Sequence, residues 1–299
     1  MKLSDFGWLE SLTILRDAEF KYAVKLHSLS EQGDNLIFVE QSSYAERLNP
    51  QLVSAVITTP ELGNFLLSKY PEIGVAVCSN PKEVFYKIHI SLVETEYSKR
   101  AENRISEKAK IHPGAIIASS NVVIGPNTVV EEGAIIKEGV IIGENCLIQS
   151  GTVIGNDCFE TAIIDGVQRL IPHAGKVIIG NNVVIQSMCS ISKGLFPTRD
   201  TVIEDEVIIA DHVHIAHGVH IKKRARIAAG VIVAGYVTIG SGAWIGPGAT
   251  VSNGINIGNN AFVTIGSTVV SNVNDSDRVA GNFAIDYKKF LKFMGQIRK

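Results

Sequence analysis

The 299-residue sequence predicts a mainly β protein built around a parallel β-helix. Three observations predict it. Aliphatic residues recur at every sixth position over long blocks. A small or β-branched residue stands two positions before most of them, and glycine or a polar residue commonly follows, as in "IGPN", "IGEN", "IGSG" and "IGNN". An α-helix repeats at about 3.6 residues and a simple strand at about 2. A period of six belongs to the coil of a β-helix, in which each hexad makes one short strand and a turn.

The first block of anchors is Ile124, Val130, Ile136, Ile142, Ile148 and Ile154, with Val122, Thr128, Ala134, Val140, Cys146 and Thr152 as companions. The register resumes at Ile179, Ile185 and Ile191. It then runs from Ile203 through Ile215, Ile221, Val233 and Ile245 to Val269. Residues two apart share a strand face, so anchor and companion both point inward. Three hexads close one coil of 18 residues. About seven coils stacked at roughly 4.8 Å give a prism of about 34 Å.

Two segments break the register. Residues 156–176, "NDCFETAIIDGVQRLIPHAGK", must leave the prism as a loop, and 192–200, "SKGLFPTRD", carry Gly, Pro and charges between Ile191 and Ile203. Long loops in a repeat fold are often functional. Before residue 105 the hexads vanish. "NLIFVE", "VSAVITT" and "IGVAVCSN" read as buried strands, and "YAERL" and "PKEVFYKIHISLVE" as helices. The expected organisation is an α/β domain over 1–104, a β-helix over 105–282 and a C-terminal helix over 283–299. The charged stretch 96–110 reads as the connector.

Composition narrows the function classes. Apolar residues make up 45%, enough for a sizeable core, and 28 basic against 30 acidic residues leave a net charge of −2. That balance gives no reason to expect a nucleic-acid or acidic-membrane partner. No apolar run approaches the ~18 residues of a membrane span. The start, "MKLSDFGWLE", lacks a signal-peptide pattern. A cytoplasmic location is expected. Cys78, Cys146, Cys158 and Cys189 have no C-x-x-C spacing, so the expectation is reduced, mostly buried thiols rather than zinc or disulfides.

"DHVHIAHGVH" (211–220) looks like a metal cluster as a string. The hexad register disperses it. Val213, Ile215, Val219 and Ile221 point inward, so His214 and His220 point out on adjacent faces, while His212 and His217 lie at or near turns. No metal site is expected.

An α/β domain followed by hexapeptide coils, with "IAH" near the middle, resembles UDP-3-O-acylglucosamine N-acyltransferase and related nucleotide-sugar N-acyltransferases. The segments that carry the likeness are "NLIFVEQSSYAERL", "KIHPGAII", "CLIQSGTVIGNDCF", "VHIAHGVHI", "AAGVIVAGYVTIG" and "IGSTVVSNVNDSDRVAGNFA". The resemblance implies a left-handed coil, with His217 as general base and the Gly235 N–H serving the oxyanion; His214 is a secondary candidate. Phe38, Gln41 and Tyr44 fall on its nucleotide-binding segment, with Gln41 where asparagine is usual. Trp244, Gly266, Ser267, Gly281 and Asn282 fall where acyl-CoA would lie. Trp244 reads equally as an outward aromatic at a subunit face.

The implied reaction moves an acyl group from a thioester to a sugar amine. A histidine with an unperturbed pKa near 6.5 suits the proton transfer, worth about 10²–10⁴-fold. A well-placed N–H contributes about 3–4 kcal/mol at the oxyanion. Asn253-Gly254-Ile255 stands where the lipid-A members have an N-G-H segment, and the chain ends after about one helix. These departures favour acyl-CoA over acyl carrier protein, and a nucleotide-linked (dTDP or UDP) dideoxy-amino sugar as acceptor. Acyl-CoA is expected as a co-substrate, with no permanent cofactor, in a homotrimer whose subunits share the groove. The outward column Val123, Val129, Ile135, Ile141, Leu147 and Val153 argues separately that part of the prism is covered. Lipid-A N-acylation with acyl carrier protein, and a structural or metal-binding scaffold, are the alternatives.

Overall fold

The computed structural model describes residues 1–97, 99–281 and 286–297. The N-terminal sheet has five strands in the order β1-β5-β4-β3-β2: β1 Thr13–Arg16, β2 Tyr22–Ala23, β3 Asn35–Val39, β4 Val53–Thr58 and β5 Gly74–Val77. β2 to β5 run parallel, and β1 is antiparallel to β5. β3, β4 and β5 are the three apolar runs expected to be strands. The helix expected from "YAERL" is one turn, α1 Ser42–Ala45. α2, Pro60–Lys69, was not expected from the pattern, although Pro60 at its first turn suits a helix start. α3, Pro81–Leu92, begins at Asn80, whose side chain accepts from the Glu83 N–H. Its buried Val84, Phe85, Ile88, His89 and Leu92 follow helical spacing and face the sheet core.

The prism consists of parallel strands of two to four residues in three sheets of nine, eight and eight strands. It winds as a left-handed β-helix. The stack is therefore just over eight coils, more than the seven expected. The difference lies in the first turns. Arg104–Ile105 and Lys110–Ile111 already pair with Val123–Ile124 and Val129–Val130, so the supposed connector contains strands. Charged outward residues hid them.

Anchors and companions fill one continuous core, most of them fully buried. Polar members of the companion column are satisfied from within it. Thr128 Oγ1 donates to the Gly143 carbonyl at 2.8 Å and accepts from the Cys146 N–H at 3.1 Å. Thr152 does the same with Gln186 and Cys189. Such pairing removes the cost of burying a hydroxyl. Many corners use left-handed backbone at asparagine or glycine, and Asn121, Asn127, Asn145, Asn182 and Asn260 all have φ near +60°.

The two register breaks are the main departure from the expected organisation. Residues 156–176 form an antiparallel hairpin, Thr161–Ile164 against Val167–Leu170, rather than an irregular loop. Ala162, Ile164 and Ile171 from this excursion, and Leu195 and Phe196 from 192–200, are buried in the N-terminal core. Lys25 pairs with Glu160 at 2.6 Å, and Lys87 with Asp165 at 2.6 Å. Both excursions therefore fasten the α/β domain to the prism. α4, Tyr287–Ile297, is the expected C-terminal helix.

This junction holds His89 buried as a neutral ring. His89 Nε2 donates to the Pro172 carbonyl at 3.0 Å, while its Nδ1 is buried without a partner. Burial lowers the pKa of His89 to about 4. The unfolded chain binds this proton first as pH falls below about 6.5, so stability is present above that pH and is lost towards pH 4. For His89 the loss should be on the order of 3 kcal/mol by pH 4. Urea titrations at pH 7, 5 and 4 on wild type and His89→Gln test this; a wild-type loss no larger than the variant's would remove His89 as a cause.

Candidate active site

His217 sits at the corner after the His214–Ile215 strand, and its ring contacts His173 and Tyr236. It is 7% exposed. Its Nδ1 is buried and makes no hydrogen bond. The ring lies flush on the next coil at Gly235. A Cβ built at Gly235 would stand 2.8 Å from His217 Nε2, 2.9 Å from its Cε1 and 2.9 Å from Asn253 Oδ1. Glycine is required here by close approach rather than by its φ. His217, Gly235 and Asn253 thus stack on successive coils. The Gly235 carbonyl accepts from Gly254, but the Gly235 N–H has no partner among the described residues.

Tyr236 closes one side, its ring edge-on to His217 at 4.8 Å and to His27 at 4.4 Å. Its backbone is left-handed, with φ of 60°. Opposite Tyr236, Gly218 also needs to be glycine, since a Cβ there would meet Tyr236 Cδ1 at 2.8 Å. Arg199 donates from Nε to the Gly218 carbonyl at 3.4 Å and lies over the Tyr236 ring. The hairpin excursion supplies the other side. His173 stands edge-on to His217 at 5.6 Å. Its Nε2 accepts from the Cys158 N–H at 3.3 Å, so its Nδ1 carries the proton and donates to Ile171 at 3.0 Å. Burial keeps the His173 pKa low and the ring neutral.

Cys158 and Glu160 bring charge to this wall. Burial alone would raise the Cys158 thiol, but hydrogen bonds with the His214 and His217 side chains outweigh it and bring its pKa to about 5. Burial likewise opposes ionisation of Glu160, yet Lys25 and Tyr86 hold its pKa below the ordinary value. Among the described residues no group of three potential ligands could hold a metal ion. A cavity of about 370 Å³ borders His173 on its far side, but neither His217 nor Gly235 lines it.

The other expected site residues lie elsewhere. Phe38 is half-buried on β3 and packs against Phe85 at 5.1 Å. Gln41 is exposed at the start of α1, and Tyr44 is 55% exposed. These three share the C-terminal edge of parallel strands, a usual ligand position in α/β sheets. No ring contact or hydrogen bond joins them to His217 among the described residues.

Trp244 faces outward and stacks on Phe262 at 6.1 Å, with Arg226 over its ring at 5.2 Å and Arg278 over Phe262 at 4.6 Å. Gly266 is an open corner with φ of +64°. The Ser267 hydroxyl is buried and bonded to Thr264 Oγ1 at 2.9 Å, its N–H donates to the Thr264 carbonyl and its carbonyl accepts from Thr250. Gly281 is half-exposed in open space, and Asn282 lies outside the described residues. His214 faces out beside Cys158, as its strand position required. His27, Cys158, His173, Arg199 and Tyr236 were not expected from the sequence. Only Cys158 and His173 had a signal, namely their place in a segment that breaks the hexad register.

The family model "Bacterial transferase hexapeptide (six repeats)" matches residues 121–156 and 200–235, spans that include His217 and Gly235. Both spans carry the hexapeptide repeat that the model describes. The hexapeptide-repeat chain is 32% identical over 213 residues to UDP-3-O-acylglucosamine N-acyltransferase of Acinetobacter baylyi, covering 59% of this chain and 55% of that one. It thus spans about half the length of that curated relative. Among solved structures, UDP-N-acetylglucosamine acyltransferase from Campylobacter jejuni matches with a TM-score of 0.50 and 21% identity, over 65% of this chain and 83% of the other. That likeness concerns the fold.

Proposed function

We propose that this hexapeptide-repeat protein is an N-acyltransferase that moves an acyl group from a thioester to the amine of a nucleotide-linked amino sugar. One observation carries the reading: an imidazole with an unpartnered nitrogen lies against a glycine whose N–H is also unpartnered, one coil apart. A thioester carbonyl brought to that pair has an N–H for its oxyanion and a base for the attacking amine. Similarity to a protein named as a nucleotide-sugar N-acyltransferase supports the reaction class.

For the finer assignment the donor is acyl-CoA and the acceptor a dTDP- or UDP-linked dideoxy-amino sugar, with Phe38, Gln41 and Tyr44 holding the base. The reading rests on Ile255, which offers no imidazole where the lipid-A pattern has one. Acylation of a UDP-3-O-acylglucosamine by acyl carrier protein is the second reading, favoured by the relative's name. A screen of UDP- and dTDP-amino sugars with acyl-CoAs and acyl-carrier-protein thioesters separates the two. Amide product with none of these combinations would defeat both readings.

The chain works as a trimer in this proposal. Val123, Val129, Ile135, Ile141, Leu147 and Val153 remain half-exposed on the single chain, and Ile116, Ile208 and Ile232 are 46–59% exposed. Association would cover such stripes. A neighbouring subunit would also bring a second surface to the His217 groove. Light scattering should give the mass of three chains, and a monomer at assay concentration would rule out a shared groove.

A further inference from the structure

The cavity of about 370 Å³ behind His173 carries charge that acyl transfer does not use. It lies where the two domains meet, between the first coils of the prism and the helical turn Val93–Tyr97 that follows α3. Lys99, Arg104, Lys176 and Lys193 line it against Glu102 and Glu138, four cations to two carboxylates, in a chain whose net charge is −2. The carboxylates do not cancel the cations. Glu138 accepts from Ser120 Oγ at 2.8 Å, and Glu102 has no ion pair among the described residues. Lys99 pairs with Glu96 and Lys193 with Asp157, each at 3.3 Å. The side chains of Arg104 and Lys176 have neither an ion pair nor a hydrogen bond among the described residues; Asp200 accepts from the Lys176 backbone N–H at 2.7 Å, not from its ammonium. His173 is the wall shared with the His217 site. Both its ring nitrogens are already bonded, so it is a fixed partition.

We propose that this cavity is a second small-molecule site, which takes a phosphate monoester with a flat apolar body. Its volume is in the range of small-molecule sites, and such sites concentrate where domains meet. A cleft lined by an excess of one charge focuses the field and gathers counter-ions. Arg104 offers a planar fork of donors that can meet two phosphate oxygens at once, and Lys176 and Lys193 add point charges. A phosphate monoester, with a charge of about −1.5 to −2 at pH 7, matches the excess of two cations in the lining. The remaining wall is apolar. Val123 and Ile141 of the outward column pair on neighbouring coils here, so a ligand rather than a neighbouring subunit covers them. The Tyr97 hydroxyl is tied to the α/β domain, donating to the Lys21 carbonyl and accepting from the Ala23 N–H, both at 3.2 Å. Only its ring is left to the cavity, and a flat body between that ring and the aliphatic pair buries apolar surface on both sides. Phe38, Gln41 and Tyr44 do not line the cavity, so it is separate from the proposed nucleotide position. The inference does not depend on the acyl-transfer reading.

Phenyl phosphate, inorganic phosphate and benzoate are titrated into the full-length protein by calorimetry at low salt. UMP is titrated into Tyr44→Ala, so that the proposed nucleotide position does not contribute. Phenyl phosphate should bind saturably, at least about tenfold tighter than inorganic phosphate or benzoate, and more weakly as salt is raised. Arg104→Gln and Lys176→Gln should each weaken it at least about tenfold, because each removes a charged donor to the phosphate. Both side chains are exposed and unpaired, so the fold should survive, which circular dichroism checks. Tyr44→Ala should bind phenyl phosphate as wild type does. UMP binding tighter than phenyl phosphate assigns a nucleotide to the site, and the reverse order a smaller aryl ester. Inorganic phosphate binding as tightly as phenyl phosphate overturns the apolar body, and benzoate binding as tightly overturns the phosphate. No saturation up to about 10 mM, or equal binding by wild type and both glutamine variants, overturns the site. Loss of phenyl phosphate in Tyr44→Ala, with both glutamine variants unaffected, puts the ligand at the nucleotide position and overturns a second site. Each of these failures leaves the acyltransferase reading standing, since its screen reads amide formation.

Discussion

Replacing His217 with alanine is expected to lower kcat by at least about tenfold while the fold stays intact. The attacking amine becomes cationic as it bonds to the acyl carbon, and a nearby group must take its proton. His217 is the imidazole that lies against the next coil's glycine, and its Nδ1 has no protein partner. The loss should fall on kcat and on kcat/KM alike, because the proton moves only on the way to the transition state. His217→Gln separates shape from chemistry, since it fills much of the same space without a base. Turnover within about twofold of wild type in both variants would refute the base assignment and favour a leaving thiolate as proton acceptor. Circular dichroism and the native mass by light scattering check that the coil survives. Survival is expected because His217 stands outside the aliphatic core.

Gly235→Ala should cost a comparable factor, about 10²-fold, by a different route. The added Cβ would come within 2.8 Å of His217 Nε2 and 2.9 Å of Asn253 Oδ1, closer than carbon and nitrogen or oxygen tolerate. Either the imidazole or the Asn253 amide must move. The methyl also stands between a thioester oxygen and the Gly235 N–H, so the oxyanion loses its donor. Misplacing a catalytic group by as little as 1 Å can cost about 10²-fold. The measurement is kcat/KM with the donor found in the screen. A rate near wild type would mean that the donor carbonyl binds elsewhere, and would sink the oxyanion assignment with it.

The two variants test features that were legible to different degrees in the sequence. The hexad period gave both positions and their spacing of one coil, because a β-helix maps sequence distance directly onto stacking. It did not indicate how tightly they meet. Closeness depends on Tyr236 turning left-handed at the corner and leaning over His217. The hairpin at 161–170 was opaque for a similar reason. Its strands are short, Ile163, Val167 and Leu170 are exposed, and what it buries goes into another domain's core. A local pattern cannot report a partner far away in sequence. Ser267 shows the reverse case: its spacing of two before Val269 already implied the buried hydroxyl that is observed.

The sequence by itself determined the prism, its register, the outward direction of His214 and His220, and the stacking of His217 on Gly235. All of these follow from a repeat in which every coil contacts only its neighbours. Only the tertiary structure decided what surrounds that pair. His27 and Tyr86 come from the α/β domain, Cys158, Glu160 and His173 from the hairpin, and Arg199 from the second excursion. They meet because Ala162, Ile164, Ile171, Leu195 and Phe196 bury their apolar surface in the N-terminal core. That burial, with no periodic trace in the chain, is what turns a histidine on a regular coil into a walled site.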